Sequence, residues 1–341
     1  MFSAISFYKQ AKAAGIKPII GCEVYVAQGN RSDKTPRPGG GWGNNHLLLI
    51  AQNNIGYSNL MKLSTAGYLE GFYYRPRVDK DLLRKYSDGI ICLSACLKGE
   101  VQELAVKGDW DGAKKVALEF AEIFPDRFYL ELMNHGIPEE EAARTQISKL
   151  AKELNIPLVA TNDCHYAKKD HWEAHDIMFC LGTGKERDDP NRQRYATAEF
   201  YFKTQDEMWK LFKGYPNALE NTRLIADSCN IELPLNEYLL PNFPIPENTG
   251  TKSPDDYLAQ CCQKGLELIY PSVTHDIQFR LNYELGVIKQ MGFAGYYWLS
   301  LWTHRFSWLY GIKASGSGDS GPRGSVGGGV WGREDGGNTF H

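Results

Sequence analysis

The chain has 341 residues, 43% hydrophobic and 23% charged, with a net charge of −3; this globular composition leaves room for two or three domains and lacks the whole-chain basic footprint of a dedicated duplex binder. It holds no run of 18 apolar residues, and its amphipathic start, "MFSAISFYKQAKAAGIKP", has no apolar signal core, so neither a membrane span nor secretion is expected. Eight scattered cysteines (22, 92, 96, 164, 180, 229, 261 and 262) form no dense framework and no paired C-x-x-C spacing, which points to free thiols in a reducing cytoplasm.

Residues 2–14 place Phe2, Ile5, Tyr8 and Ala11 at helical spacing and stop at Gly15, which predicts a helix with a glycine at its C-terminal end. "KPIIGCEVYVA" follows as a strand, and "NNHLLLIAQN" as another. A helix from "GYSNLMKLSTAGYL" comes next, then a third strand, "DGIICLSACL". Helical "KGEVQELAVKGDWDGAKKVALEFAEIF" precedes a fourth strand, "DRFYLELMN". A helix over 138–155 leads to the fifth strand, "IPLVATND". Strands alternating with helices of this length predict parallel β/α units, and continuously apolar strands predict burial on both faces. About five such units suit a barrel or an open doubly wound sheet.

Residues 170–230 read as mostly helical, with one strand near "EFYFKT". The Pro- and Asn-rich "LPLNEYLLPNFPIPENTGTKSP", 233–254, reads as an extended linker. Two helices, around 254–268 and 275–291, end at Gly292 and open a second domain. Residues 314–341 hold ten of the 34 glycines and almost no aliphatic side chains. Such a segment buries too little apolar surface to offset its ordering entropy, which predicts disorder or a sequence outside the native coding frame.

Chemistry gathers at strand ends. Asp163 and His165 are two residues apart, so on a strand they face the same way. At the C-terminal edge of a parallel sheet they make a half-site for Zn²⁺, Mn²⁺ or Fe; the plain alternative is a capped loop. Glu23 in "GCEVYVA", His46 opening "HLLLIA" and Cys96 closing "CLSAC" are metal-ligand types at further strand boundaries. His135, after "FYLELMN", reads as a loop residue or one that supports a ligand from behind. His171 and His175 are four apart on a helix without the rest of an H-E-x-x-H pattern, which favours an ordinary helix face. Tyr73, Tyr74 and Arg75 mix aromatic and basic groups as single-stranded nucleic acid sites do, although a solvated surface has the same composition. No phosphate-cradling glycine motif or G-x-S-x-G occurs in residues 1–299.

These stretches, together with "FYKQAKAAGIKPIIGCEVYVA", "FYLELMNHGIPEEE" and "RLNYELGVIKQMGFAGYYWL", resemble in order the N-terminal region of bacterial replicative DNA polymerase III alpha subunits over residues 1–299. The resemblance implies residues 1–232 as a PHP domain, a (β/α)7-type barrel lacking its first strands. A linker over 233–254 follows, then the beginning of a polymerase palm region over 255–299 and an atypical tail over 300–341. It implies Glu23, His46, Cys96, Asp163 and His165 as metal-binding positions for Zn, Mn or Mg, where clustered cations activate water against a phosphodiester and support a 3′–5′ exonuclease in some members. It also implies Mg in the parent polymerase. The implied partners are DNA as primer–template, the proofreading exonuclease subunit and the sliding clamp, in the cytoplasm.

Two departures stand out. The family's opening H-x-H strand and T-D-H-G segment, with about four ligands, are missing here. After residue 298 the family's G-P-G-R-G-S loop has only the echo Gly321-Pro322-Arg323-Gly324-Ser325, as a shifted reading frame gives. The expectation is therefore a polymerase alpha fragment that does not polymerise by itself. The alternatives are a free-standing PHP phosphoesterase and a non-catalytic structural module.

Overall fold

The computed structural model describes residues 1–35, 44–235, 237 and 244–298. The described residues through Leu233 form one compact unit, and the described residues from 234 to 298 belong to another. The expected tail and the Gly321–Ser325 echo lie outside the described residues.

The first unit follows the predicted order, with β3 and α3 as elements the sequence reading does not include. Helix α1 (Ala4–Ala13) leads to strand β1 (Gly21–Ala27), then β2 (Asn44–Ala51), α2 (Asn54–Leu69), the short β3 (Arg77–Val78) and α3 (Lys80–Lys85). After them come β4 (Ile90–Leu93), α4 (Glu100–Val106), α5 (Trp110–Ile123), β5 (Phe128–Leu132), α6 (Pro138–Leu154) and β6 (Leu158–Ala160). The unit closes with α7 (Trp172–Thr183), α8 (Gln205–Leu211) and α9 (Pro216–Ser228). Local signals set these boundaries. The side chains of Asn53, Asp79 and Asp109 accept hydrogen bonds from Gly56, Leu82 and Gly112 at the starts of α2, α3 and α5. Thr204 and Glu207 cap α8 reciprocally.

Two expectations are corrected here. The single helix read across 98–124 is broken into α4 and α5, because Gly108 takes φ +80° and Asp109 starts a new helix. The strand near "EFYFKT" is only an isolated bridge between Tyr166 and Tyr201. Its backbone serves instead to tie down the loop after β6, with His165 N–H donating to the Phe200 carbonyl at 2.8 Å.

The sheet has six strands in the order β3-β1-β2-β4-β5-β6. It is mixed, against the expectation of purely parallel units. β2 runs antiparallel to both β1 and β4, while β1–β3, β4–β5 and β5–β6 are parallel. The described residues 28–35 that follow β1 hold no helix, and a parallel neighbour needs a long crossover, usually a helix.

Alternation then divides the two faces. Val24, Val26, Leu47, Leu49, Cys92, Leu130 and Leu132 point to the main core, where Leu60, Leu63, Phe120 and Ile147 of α2, α5 and α6 pack. Leu48, Ile91, Leu93 and Val159 point the other way, against Ile225 and Cys229 at the end of α9. No helix among the described residues is long and apolar enough to cross a membrane.

In the second unit, α10 (Pro254–Ile269) and α11 (His275–Met291) are capped by Ser253 and Thr274, and α11 stops at Gly292 with φ +69°. Trp298 donates its indole N–H to the Pro254 carbonyl at 3.3 Å and stacks on Tyr257.

Candidate functional site

The reversed direction of β2 decides where the chemistry gathers. His46 stands near the beginning of β2, opposite Tyr25. Because β2 opposes its neighbours, its beginning lies at the edge where β4, β5 and β6 end. Leu48 pairs with Leu93, the last residue of β4, so His46 lies level with the turn that carries Cys96. Directly opposed residues share a face, so Glu23, Tyr25 and His46 sit together on the face away from the main core.

Their geometry is direct. The Glu23 carboxylate lies 2.7 Å from His46 Nδ1, and Cys96 Sγ lies 3.8 Å from the same nitrogen. Burial pushes the Cys96 thiol up to about 12, and the negative charges of Glu23, Asp163 and Glu131 add to it. At neutral pH Cys96 is therefore a thiol.

Asp163 and His165 arrive by another route than the strand parity predicted. β6 ends at Ala160, so both belong to a loop. The His165 Nδ1 bonds the Asp163 backbone carbonyl at 3.0 Å and lies 3.8 Å from its carboxylate. The loop is held from behind by His135, which is completely buried. Asp163 N–H donates to His135 Nε2 at 3.1 Å, so His135 carries its proton on Nδ1, facing Glu140 at 2.7 Å. The ring of His135 stacks on Phe200 with centroids 4.4 Å apart.

Two residues that sequence reasoning passed over belong to this rim. Glu131, 3% exposed, is an acid inside an otherwise apolar strand, and that oddity in "FYLEL" was the available signal. Burial raises its carboxyl to about 7 against the hydrogen bonds it accepts from Thr161 and Ala95, with the charges of Glu23 and Asp163 contributing. Tyr195 packs its ring 4.7 Å from His165 and 5.2 Å from His175. Burial and the charges of Asp163, Cys96 and Glu23 push its phenol up to about 12. Tyr195 came from a stretch with no strand signal, so nothing local marked it.

The weaker candidates fall at the margin. The Arg75 guanidinium lies 5.9 Å from the Tyr25 ring, which stands edge-on to His46 at 5.1 Å. Tyr73 and Tyr74 pack edge-to-face, with Tyr74 at φ +57°. His171 does not pair with His175; His175 packs against His165, Tyr166 and Phe179, while His171 lies beside Asp170.

The rim is thus a chain of acid, imidazole and thiol contacts. Among the described residues, no group of three or more His, Cys, Asp or Glu side chains is arranged to hold a metal ion. In this geometry Glu23, His46 and Cys96 contact one another, and His165 contacts Asp163.

Gly99 keeps the Cys96 turn tight. Its N–H donates to the Cys96 carbonyl at 2.7 Å, and a Cβ there would sit 2.0 Å from the Ser94 carbonyl oxygen. Gly99→Ala is expected to lower stability by about 2 kcal/mol, read as a lower urea midpoint at unchanged slope.

Comparison with known proteins gives two family matches. A model described as "PHP domain" matches residues 1–135, and one described as "Bacterial DNA polymerase III alpha NTPase domain" matches residues 256–331. The DNA polymerase III subunit alpha of Borreliella burgdorferi is 44% identical over 303 residues, covering 89% of this chain and 26% of that protein. That of Campylobacter jejuni is 41% identical over 327 residues (87% and 27%), and that of Thermus aquaticus 38% over 277 (80% and 22%). The chain spans about a quarter of the length of these curated relatives.

Proposed function

This chain belongs to the bacterial DNA polymerase III alpha family, and on that premise we propose that it serves template-directed DNA synthesis as the N-terminal part of a replicative polymerase. Residues 1–232 act as the PHP domain with a (β/α)7-type barrel plan, 233–254 as a linker and 255–299 as the approach to the palm. The parent enzyme uses Mg, works in the cytoplasm on primer–template DNA, and meets the proofreading exonuclease and the sliding clamp. The single observation behind this reading is a collinear likeness of 44% identity across 303 residues, with both family matches in order.

The role that suits residues 1–232 best is to brace the polymerase, since the rim side chains satisfy one another. No recognisable palm aspartates occur in the sequence, so the 341-residue chain alone is expected to extend no primer. A chimera with residues 1–298 in place of the matching segment of the Borreliella burgdorferi subunit is expected to extend one. A folded chimera without extension, or extension by the chain alone, overturns the reading.

A second reading, metal-dependent phosphodiester cleavage as a 3′–5′ exonuclease, is favoured by one observation: Glu23 and Cys96 both reach the His46 Nδ1, and the Asp163 charge acts on the Cys96 thiol. It assigns Zn, Mn or Mg to these four and His165. Metal analysis of the purified chain and turnover of bis-p-nitrophenyl phosphate test it. Bound metal with turnover that vanishes in Asp163→Ala supports it, and metal-free, inert protein leaves the bracing role alone.

A further inference from the structure

We propose that Glu131 is the positioning residue of the rim, a buried clasp that couples the turn carrying Cys96 to the loop carrying Asp163 and His165. The proposal rests on the reading of this rim as the functional edge of the domain, and it adds a residue that the ligand-type pattern does not include.

Glu131 reaches both segments at once. One carboxylate oxygen accepts from the Ala95 N–H at 2.8 Å, one residue before Cys96. The other accepts from the Thr161 hydroxyl at 2.5 Å, two residues before Asp163. The segments come from different strand ends, after β4 and after β6, and β5 stands between them in the sheet. A carboxylate near the end of the middle strand offers two acceptor oxygens, one for each side.

The Cys96 turn needs such a hold. Ala95 has φ +63°, a left-handed conformation that costs an L residue on the order of 1 kcal/mol and persists where its surroundings over-determine it. Glu131 supplies the side-chain bond to that residue's own N–H. The backbone around the clasp is fixed independently. Ser94 Oγ accepts from Glu131 N–H at 2.8 Å, and the Gln102 amide donates to Ser94 Oγ at 2.6 Å and to the Ala95 carbonyl at 2.8 Å. The carboxylate therefore has a set direction, toward the two segments that bear the rim groups. On the far side, His135 holds the Asp163 N–H, so the loop after Thr161 is pinned at both of its ends.

Residue-resolved hydrogen exchange of the full chain tests the clasp without substrate or metal. Glu131→Ala is expected to speed exchange at least about tenfold in 94–98 and in 161–165, while the core amides of β4 and β5 stay within about twofold of wild type. Glu131→Gln keeps an acceptor for Ala95 and an amide for Thr161, and is expected to restore protection in both segments. Thr161→Val removes one arm only, yet is expected to speed exchange at Ala95 about threefold. Transmission from Thr161 to Ala95 is what a clasp requires and what local support of either segment does not give. Unchanged exchange in Glu131→Ala, uniform loosening of β4 and β5, or an effect of Thr161→Val confined to its own loop overturns the proposal. Should Glu131→Ala fail to fold, the comparison of Glu131→Gln with Thr161→Val decides the matter by the same criteria. An inert protein in the phosphodiester assay removes the cleavage reading and leaves these outcomes standing.

Discussion

His135→Ala is expected to lower the stability of the first unit by about 3 kcal/mol, seen as a drop of about 6–12 °C in thermal midpoint. Three losses add up at one place. The ring is completely buried and stacks on Phe200, so its removal leaves a cavity. Glu140, 5% exposed, loses the imidazole 2.7 Å from its carboxylate. The Asp163 N–H loses its acceptor. The pair also carries a pH signature. Burial pushes the Glu140 carboxyl up, but hydrogen bonds from the His135 ring and backbone more than offset this and hold it below its ordinary value of 4.5. A carboxyl depressed in the folded state stabilises above its unfolded value and loses that contribution as the pH falls below it. The His135→Ala deficit is therefore expected to be full at pH 7 and to shrink below about pH 4.5. A deficit under about 1 kcal/mol at pH 7, or one that does not depend on acid, contradicts this.

Glu131→Gln is expected to do the opposite and stabilise the protein at pH 8. The Glu131 carboxyl titrates at about 7 in the folded protein, above its ordinary 4.5. Between these values the folded state holds a proton that the unfolded chain has released, so wild-type stability falls as the pH rises through that window. Above pH 7 the cost levels off at about 3 kcal/mol. Glutamine keeps the shape and an acceptor for Ala95 but carries no charge to bury. Denaturation at pH 4.5 and pH 8 is expected to show near-equal stabilities at the lower pH and a variant more stable by about 2–3 kcal/mol at the higher. A variant that is less stable at pH 8 contradicts the buried-acid account. The clasp and this cost are compatible: a group that holds two loops can also weaken the fold, as acids buried for position do.

How much of this was legible in the sequence depended on which physical signal each residue left. Glu23, His46 and Cys96 were found because metal-ligand types stood at the boundaries of apolar runs. Their meeting at one edge required something the pattern did not state, the reversal of β2 against β1 and β4. Asp163 and His165 were singled out by strand parity, and they do lie side by side, but in a loop; the strand had already ended at Ala160. Glu131 is masked in the sequence by its place one residue before the end of the otherwise apolar run of β5. Tyr195 could not be found at all, since its place is set by tertiary packing against His165 and His175. The family itself was carried by runs of matching residues, not by periodicity.

The central claim is that β1, β2, β4 and the loop after β6 deliver acid, imidazole and thiol groups to one rim. X-ray determination of that rim in crystals of the 341-residue chain measures it most directly. The expected result is Glu23 about 2.7 Å from His46 Nδ1, Cys96 Sγ about 3.8 Å from the same atom, and Glu131 bonded to both Ala95 and Thr161. Side chains of Glu23, His46 and Cys96 on different sides of the sheet, with Glu131 turned away from either segment, contradict it.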